Sequence, residues 1–291
     1  MSRSRAWRDA AGQPGDEPAG AVPSEAEPVT PAASSAAGPA ASGPTCVFCD
    51  RPTGPTEYAW PEWLARFLMD QHVDQGETLR APGLDLVVLE RMETEIDKTV
   101  TCVCDTCTHG WMQRLEENAS PLLRSMIVGD PTPLPAARRK LLARWAAKTA
   151  IVMECASRTW IRTPRPVCEH LRKIGVHPGT QVLVGRYDGQ MQLLTHERDL
   201  FSRVIDGEKR YIAQTTFVIG KLIIQVFADP WRDSPPELTE GASHPFLPLL
   251  GVNGRVVEWP PAIAIDDDLY GLARCGPISE DALPPRKANE S

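Results

Sequence analysis

The chain has 291 residues, enough for one large domain or two small ones with a sizeable core. With 31 Lys and Arg against 38 Asp and Glu, its net charge of −7 excludes whole-molecule attraction to nucleic acid or an anionic membrane. No uninterrupted apolar run reaches the roughly 18 residues of a membrane span, and the first residues lack the apolar core of a secretory signal. The expectation is a cytoplasmic protein with no membrane partner.

Residues 1–45 carry Ala, Pro, Gly or Ser at 30 positions, too little apolar bulk to offset the entropy of folding, and are expected to form a disordered tail. Cys46-Val-Phe-Cys49 opens a Cys-, Trp- and Pro-rich module that runs to about residue 130. Within it, Trp63, Leu64 and Phe67 mark an amphipathic helix. A proline-rich turn, 129–135, then leads into a helix starting at Pro135, a residue suited to the first helical position. Its buried stripe is expected at Leu141, Leu142, Trp145, Thr149, Val152, Met153 and Ala156, with Lys140, Arg144 and Lys148 on another face. This helix belongs to a connector spanning residues 131–175. Alternating patterns predict strands at 180–186, 190–196, 210–217, 221–228 and 255–259, and Asp188-Gly189 predicts a hairpin turn. They make residues 176–276 a mostly antiparallel region, and 277–291 a second disordered tail. The class is α+β.

The eight cysteines include two C-x-x-C pairs, Cys46/Cys49 and Cys104/Cys107. Each pair turns two thiolates toward one ion, and two pairs complete a tetrahedral Zn²⁺ shell. The 54 intervening residues exceed the usual ribbon spacing of about 15–20, so the insertion must fold with the module. Cys102 is an alternative ligand to Cys104. Disulfides are disfavoured in a reducing cytoplasm; Cys155 and Cys168 are expected to be buried or incidental, and Cys275 to lie in a loose segment. Four thiolates leave no open position, so the zinc is structural.

These motifs resemble a zinc-containing branch of the HNH endonucleases. The likeness is carried by Cys46-Val-Phe-Cys49, by Glu57-Tyr58-Ala-Trp-Pro61-Glu-Trp63-Leu64, and by Cys104-Asp-Thr-Cys107-Thr108-His-Gly110-Trp111-Met112 with Leu115-Glu116. It extends through 142–150 and covers residues 46–156. The family pattern reads C-x-F-C, E-H-x-x-P-x-W-L and C-x-x-C-N-x-G-W-M. The resemblance implies a ββα hairpin fixed by zinc, with a His base activating water and a divalent cation polarising a phosphodiester. It also implies nucleic acid as the partner, with DNA favoured over RNA.

The base position here is Tyr58, and the position of the Asn that orients the base is Thr108. A phenol with an ordinary pKa of about 10 offers roughly a thousandfold less basic form at neutral pH than an imidazole at about 6.5. Thr is too short to replace the amide. Glu57 and Glu116, with Glu117 as a neighbouring option, are carboxylates able to hold Mg²⁺ or Mn²⁺. His109 occupies a variable family position and is expected to point elsewhere; His72, in the insertion, is expected on the surface. Residues 110–175 hold 12 Lys and Arg against 5 Asp and Glu, a basic island in which Arg114, Arg124, Lys140, Arg144 and Lys148 are candidate phosphate contacts. The first reading is a nucleic-acid-binding protein with weakened or lost cleavage. The others are an active divergent endonuclease using Tyr58, His109 or His72, and a repurposed pocket over the sheet.

Overall fold

In the computed structural model, residues 44–74, 84–157, 162–190, 193–205, 207–233, 245–251 and 256–273 are described. The two expected tails fall almost wholly outside them, as do Cys275, His244 and the side chain of His72. The class is α+β, with helices and a curled, antiparallel-rich sheet.

Around the cysteine pairs regular structure is brief. Glu57–Tyr58 (β1) pairs antiparallel with Thr99–Val100 (β2), Glu57 opposite Val100 and Tyr58 opposite Thr99. Glu62–Asp74 (α1) and Leu84–Ile96 (α2) lie between them in sequence. Pro61 starts α1, its carbonyl accepting from the Leu64 and Ala65 amides. Leu64 and Leu68, one turn apart, are buried, and Trp63 and Phe67 pack half-buried beside them. After β2 come a single turn, Asp105–Cys107 (α3), and a wide π-type turn over Thr108–Met112 that kinks at Gly110. Gln113–Val128 (α4) follows.

Thr132–Leu134 (β3) leads to Ala136–Ala156 (α5), the longest helix described. Pro135 stands one position before its first turn, extended at ψ 165°, and its carbonyl accepts from the Arg139 amide. The expected stripe is present, with Leu142, Trp145, Thr149, Val152 and Met153 buried. The expected basic face is not. Lys140 is exposed, Arg144 half-buried and Lys148 buried, because α5 is enclosed on several sides and its Ala143, Ala146, Ala147 and Ala150 admit close neighbours.

Arg165–Lys173 (α6) precedes the sheet. Its strands are Thr180–Tyr187 (β4), Leu194–Ile205 (β5), Glu208–Ile219 (β6), Leu222–Ala228 (β7), Phe246–Pro248 (β8) and Ala264–Ile265 (β10). Val257–Trp259 (β9) pairs instead with β3, and Asp267–Ala273 (α7) ends the described chain. The order is β10-β4-β7-β6-β5, with β8 also on β4; all pairings are antiparallel except β10 with β4.

The hairpin expected at Asp188-Gly189 is not there. β4 pairs with β7 rather than β5, and the Asp188 amide donates to Ile265 O at 2.9 Å. The expected strand at 190–196 begins at Leu194 and runs on to Ile205. The tight turns lie further along, where β5 meets β6 at Ile205↔Glu208 and β6 meets β7 at Ile219↔Leu222. Each uses a glycine with positive φ, 78° at Gly207 and 55° at Gly220, as two-residue hairpin loops require.

Period-two alternation buries both faces of the sheet. Val182, Val184, Leu222, Ile224 and Val226 join the core that also contains Cys46, Phe48 and Trp145, while Leu183, Ile223 and Phe227 face a second cluster with Phe246, Leu269 and Tyr270. The first core is continuous from the cysteine segment through α4 and α5 to the sheet.

Candidate metal centre

The chain closes each cysteine pair locally. The Cys49 amide donates to Cys46 O, and the Cys107 and Thr108 amides donate to Cys104 O. Two further bonds hold the pairs together: Val47 N to Cys102 O at 2.9 Å and Gly54 N to Val103 O at 2.8 Å. The four sulfurs of Cys46, Cys49, Cys104 and Cys107 all lie within 4.8 Å of one another. Cys49 Sγ is 3.5 Å from Cys104 Sγ and 3.8 Å from Cys107 Sγ. A tetrahedron with Zn–S bonds of about 2.3 Å has edges of about 3.8 Å, so the cluster is of a size to hold an ion such as zinc.

The surroundings act unevenly on these thiols. Burial pushes the Cys46 thiol up, opposed by hydrogen bonds from the Cys104 and Phe48 backbone. Burial also raises Cys107. At Cys49 burial is outweighed by the Arg51 backbone and the adjoining thiols, and the pKa falls. Backbone donors aimed at sulfur are what a metal-bound thiolate needs once the ion displaces the proton.

Cys102 is not available as the alternative ligand. It forms a disulfide with Cys155, Cα to Cα 6.3 Å, and so ties the chain just after β2 to α5. This corrects two expectations at once, that Cys155 is merely buried or incidental and that disulfides are disfavoured. Cys168 is buried away from the cluster, its thiol pushed up to about 12 first by burial and then by Glu154.

Of the positions matched to the endonuclease pattern, Glu57 is half-buried on β1 and Tyr58 is 63% exposed beside it. Thr108 follows the second pair directly and is half-buried. Glu116 is engaged elsewhere. Its carboxylate accepts from Trp63 Nε1 at 2.9 Å and Trp145 Nε1 at 2.8 Å, and pairs with Lys148. The arrangement satisfies a buried ammonium and two indole N–H groups, so Glu116 joins α1, α4 and α5. Neighbouring Glu117 is exposed and accepts from Gln113.

The candidate phosphate contacts divide. Arg114 and Lys140 are exposed. Arg124 lies over Trp63 and Phe67, 5.2 and 4.6 Å from the ring centroids. Arg144 donates to Leu171 O and Arg172 O at 3.0 and 2.8 Å and lies over Trp111, its guanidinium pKa lowered by burial. Lys148, in its pair with Glu116, is 3% exposed and cannot meet a ligand in solvent.

His109 does not point elsewhere. Its imidazole, the Glu57 carboxylate and the Asp105 carboxylate bring one ligand atom each within 4.8 Å of one another. Asp105 had no part in the sequence reading. The available signal was its i, i+4 interval to His109, which becomes a shared face once the second pair folds into a helical turn.

No known protein family, curated protein or solved structure matches the chain. Among the described residues no helix is long and apolar enough to cross a membrane.

Proposed function

We propose that the chain is an HNH-like zinc protein that binds nucleic acid, DNA in preference to RNA, with phosphodiester cleavage weakened or lost. The observation that carries the reading is the four-sulfur cluster. It gathers Cys46 and Cys49 with Cys104 and Cys107 beside the β1–β2 ladder, so that Glu57-Tyr58 and Thr108 belong to one small unit followed by α4. That order of ladder, cysteine turn and helix is what the resemblance requires of a ββα hairpin. Zinc then fixes the hairpin and takes no part in chemistry, since four sulfurs complete its shell.

Tyr58 and Thr108 stand where a base and its orienting amide are needed, and neither side chain suits that work at neutral pH. What remains is recognition. Exposed Arg114 and Lys140, with Tyr58 as a stacking or hydrogen-bonding group, supply the contacts. The cavity between α5, α6 and the sheet has a volume of about 20 Å³, room for one water, and lends no support to a substrate pocket there.

Fluorescence anisotropy with duplex DNA and with RNA at about 50 mM salt tests the reading. The expected result is binding that weakens with salt and in Arg114→Ala and Lys140→Ala. Absence of binding to either polymer rejects it. Plasmid incubated with Mg²⁺ or Mn²⁺ should stay intact with the wild type and be nicked only by the Tyr58→His, Thr108→Asn double variant.

A further inference from the structure

We propose that Glu57, Asp105 and His109 form a second metal site, open to solvent, separate from the four-sulfur cluster, and suited to a first-row transition cation such as Mn²⁺. One carboxylate comes from β1; the other ligands come from the second cysteine turn and the residues just after it. The three ligand atoms lie within 4.8 Å of one another. Bonds of about 2.0–2.2 Å to a common ion put neighbouring ligand atoms about 3–3.5 Å apart, which half-exposed and exposed side chains reach by small rotations.

Nothing else claims these groups. Among the described residues, none of the three side chains makes a hydrogen bond or ion pair, so all three keep their ligand atoms free for an ion. Asp105 is also held in place. A Cβ at residue 54 would overlap its carboxylate, so glycine at that position makes room for it, and Gly54 is pinned by its amide bond to Val103 O. The two halves of the site are therefore mutually fixed by the same contacts that join the cysteine pairs.

The donor set selects the ion. One imidazole nitrogen with two carboxylate oxygens suits Mn²⁺, Fe²⁺, Co²⁺, Ni²⁺ or Zn²⁺ better than Mg²⁺ or Ca²⁺, which favour oxygen alone. Three protein ligands leave positions for water or a phosphate oxygen. Mn²⁺ is the useful probe, because it does not displace zinc from thiolates. The site stands on geometry and does not depend on nucleic-acid binding.

The experiment uses the full chain loaded with zinc, titrated with Mn²⁺ alone and followed by the loss of the free-ion electron paramagnetic resonance signal. A single Mn²⁺ should bind, with an imidazole nitrogen coupling in its pulsed spectrum, and excess Mg²⁺ should displace it poorly. Changes beyond the ligands typically cost about 10–100-fold in affinity, so Asp105→Asn, His109→Ala and Glu57→Gln should each weaken binding at least tenfold. His109→Ala should also abolish the nitrogen coupling while zinc content stays as in the wild type. Glu57→Gln, on the strand outside the cysteine turn, repeats the test at a position remote from the zinc ligands in sequence. Glu117→Gln should leave Mn²⁺ binding unchanged. Failure of Mn²⁺ to bind overturns the proposal. So does equal affinity in the ligand variants, or a loss in Glu117→Gln as large as theirs, which would put the ion on α4. No nucleic acid enters the measurement, so its outcome and that of the anisotropy assay are independent.

Discussion

The cysteine segment, residues 44–128, and the sheet of residues 180–265 reach order by different physical routes. The segment has a ladder of only two residue pairs, and its helices send Leu64, Leu68, Leu122, Leu123 and Met126 into the common core. Four sulfurs that can hold an ion such as zinc gather its two ends at one point. The sheet has neighbouring strands of twelve residues, and apolar side chains buried on both faces. Its order is spread over many contacts, each worth little on its own. A change at one point should therefore be severe in the first region and modest in the second. Both regions pack against α5, through which the difference can be measured in one molecule.

The largest effect expected is removal of the metal. Structural zinc contributes about 10–16 kcal/mol of apparent binding free energy in small modules, comparable to the roughly 5–15 kcal/mol stability of a whole domain. A chelator, or Cys49→Ser with Cys107→Ser, should abolish hydrogen-exchange protection at Leu64 and Leu123 while Val182 and Val184 stay protected. Equal protection in both regions after proven metal loss would break the contrast. Next comes the Glu116–Lys148 pair. Glu116→Ala strands a buried ammonium and two indole N–H groups, and should cost about 3–5 kcal/mol in a urea titration. A nuclease-type role for Glu116 would instead spare stability. Third is the Cys102–Cys155 disulfide, which closes a loop across 53 residues of sequence. Its loss in a Cys102→Ser, Cys155→Ser variant should cost about 2–4 kcal/mol, with zinc content unchanged.

What could be read from the sequence follows the same division. The cysteine pairs were legible because ligand spacing is set by coordination geometry, which acts over four residues. The stripe of α5 was legible because Leu142, Trp145, Thr149, Val152 and Met153 repeat at helical intervals. Its basic residues misled, since Lys140, Arg144 and Lys148 share one helical interval but differ in depth, and depth is decided by Glu116 and Trp111 on other elements. The hairpin was misplaced for a similar reason. Asp188-Gly189 and Asp206-Gly207 offer the same turn chemistry, and only the competition of β7 for β4 decides between them. β5 was foreshortened because residues 197–203 carry the charges typical of an edge strand and hide its alternation. The Cys102–Cys155 bond joins residues with no local relation at all. His109 was misread through a variable family position, although its interval from Asp105 was in plain view.

The smallest effect expected lies where the two regions meet. Glu95, near the end of α2, is half-buried. Its carboxylate pairs with Lys98 and sits 3.0 Å from His196 Nδ1 on β5, with Trp60 Nε1 donating at 3.4 Å. Burial alone would raise its pKa, but hydrogen bonds with His196 and Lys98 and the electrostatic influence of the same two groups outweigh it, and the pKa lies below the ordinary 4.5. A carboxylate with a lowered folded pKa binds its proton more weakly in the folded than in the unfolded chain. Its stabilising contribution is thus complete above about pH 4.5 and is lost as the pH falls through the folded value. Urea midpoints between pH 6 and pH 3 should decline more steeply in the wild type than in Glu95→Gln, whose neutral amide has no such proton to gain. An ion held by the four sulfurs would be released at the acid end of that range as its thiolates protonate, so the two proteins are compared at equal ion content at each pH. If the region of α2 is already unfolded there, the two slopes coincide. In that case the sulfur cluster, and not the contact with β5, is what holds Glu95 against the sheet.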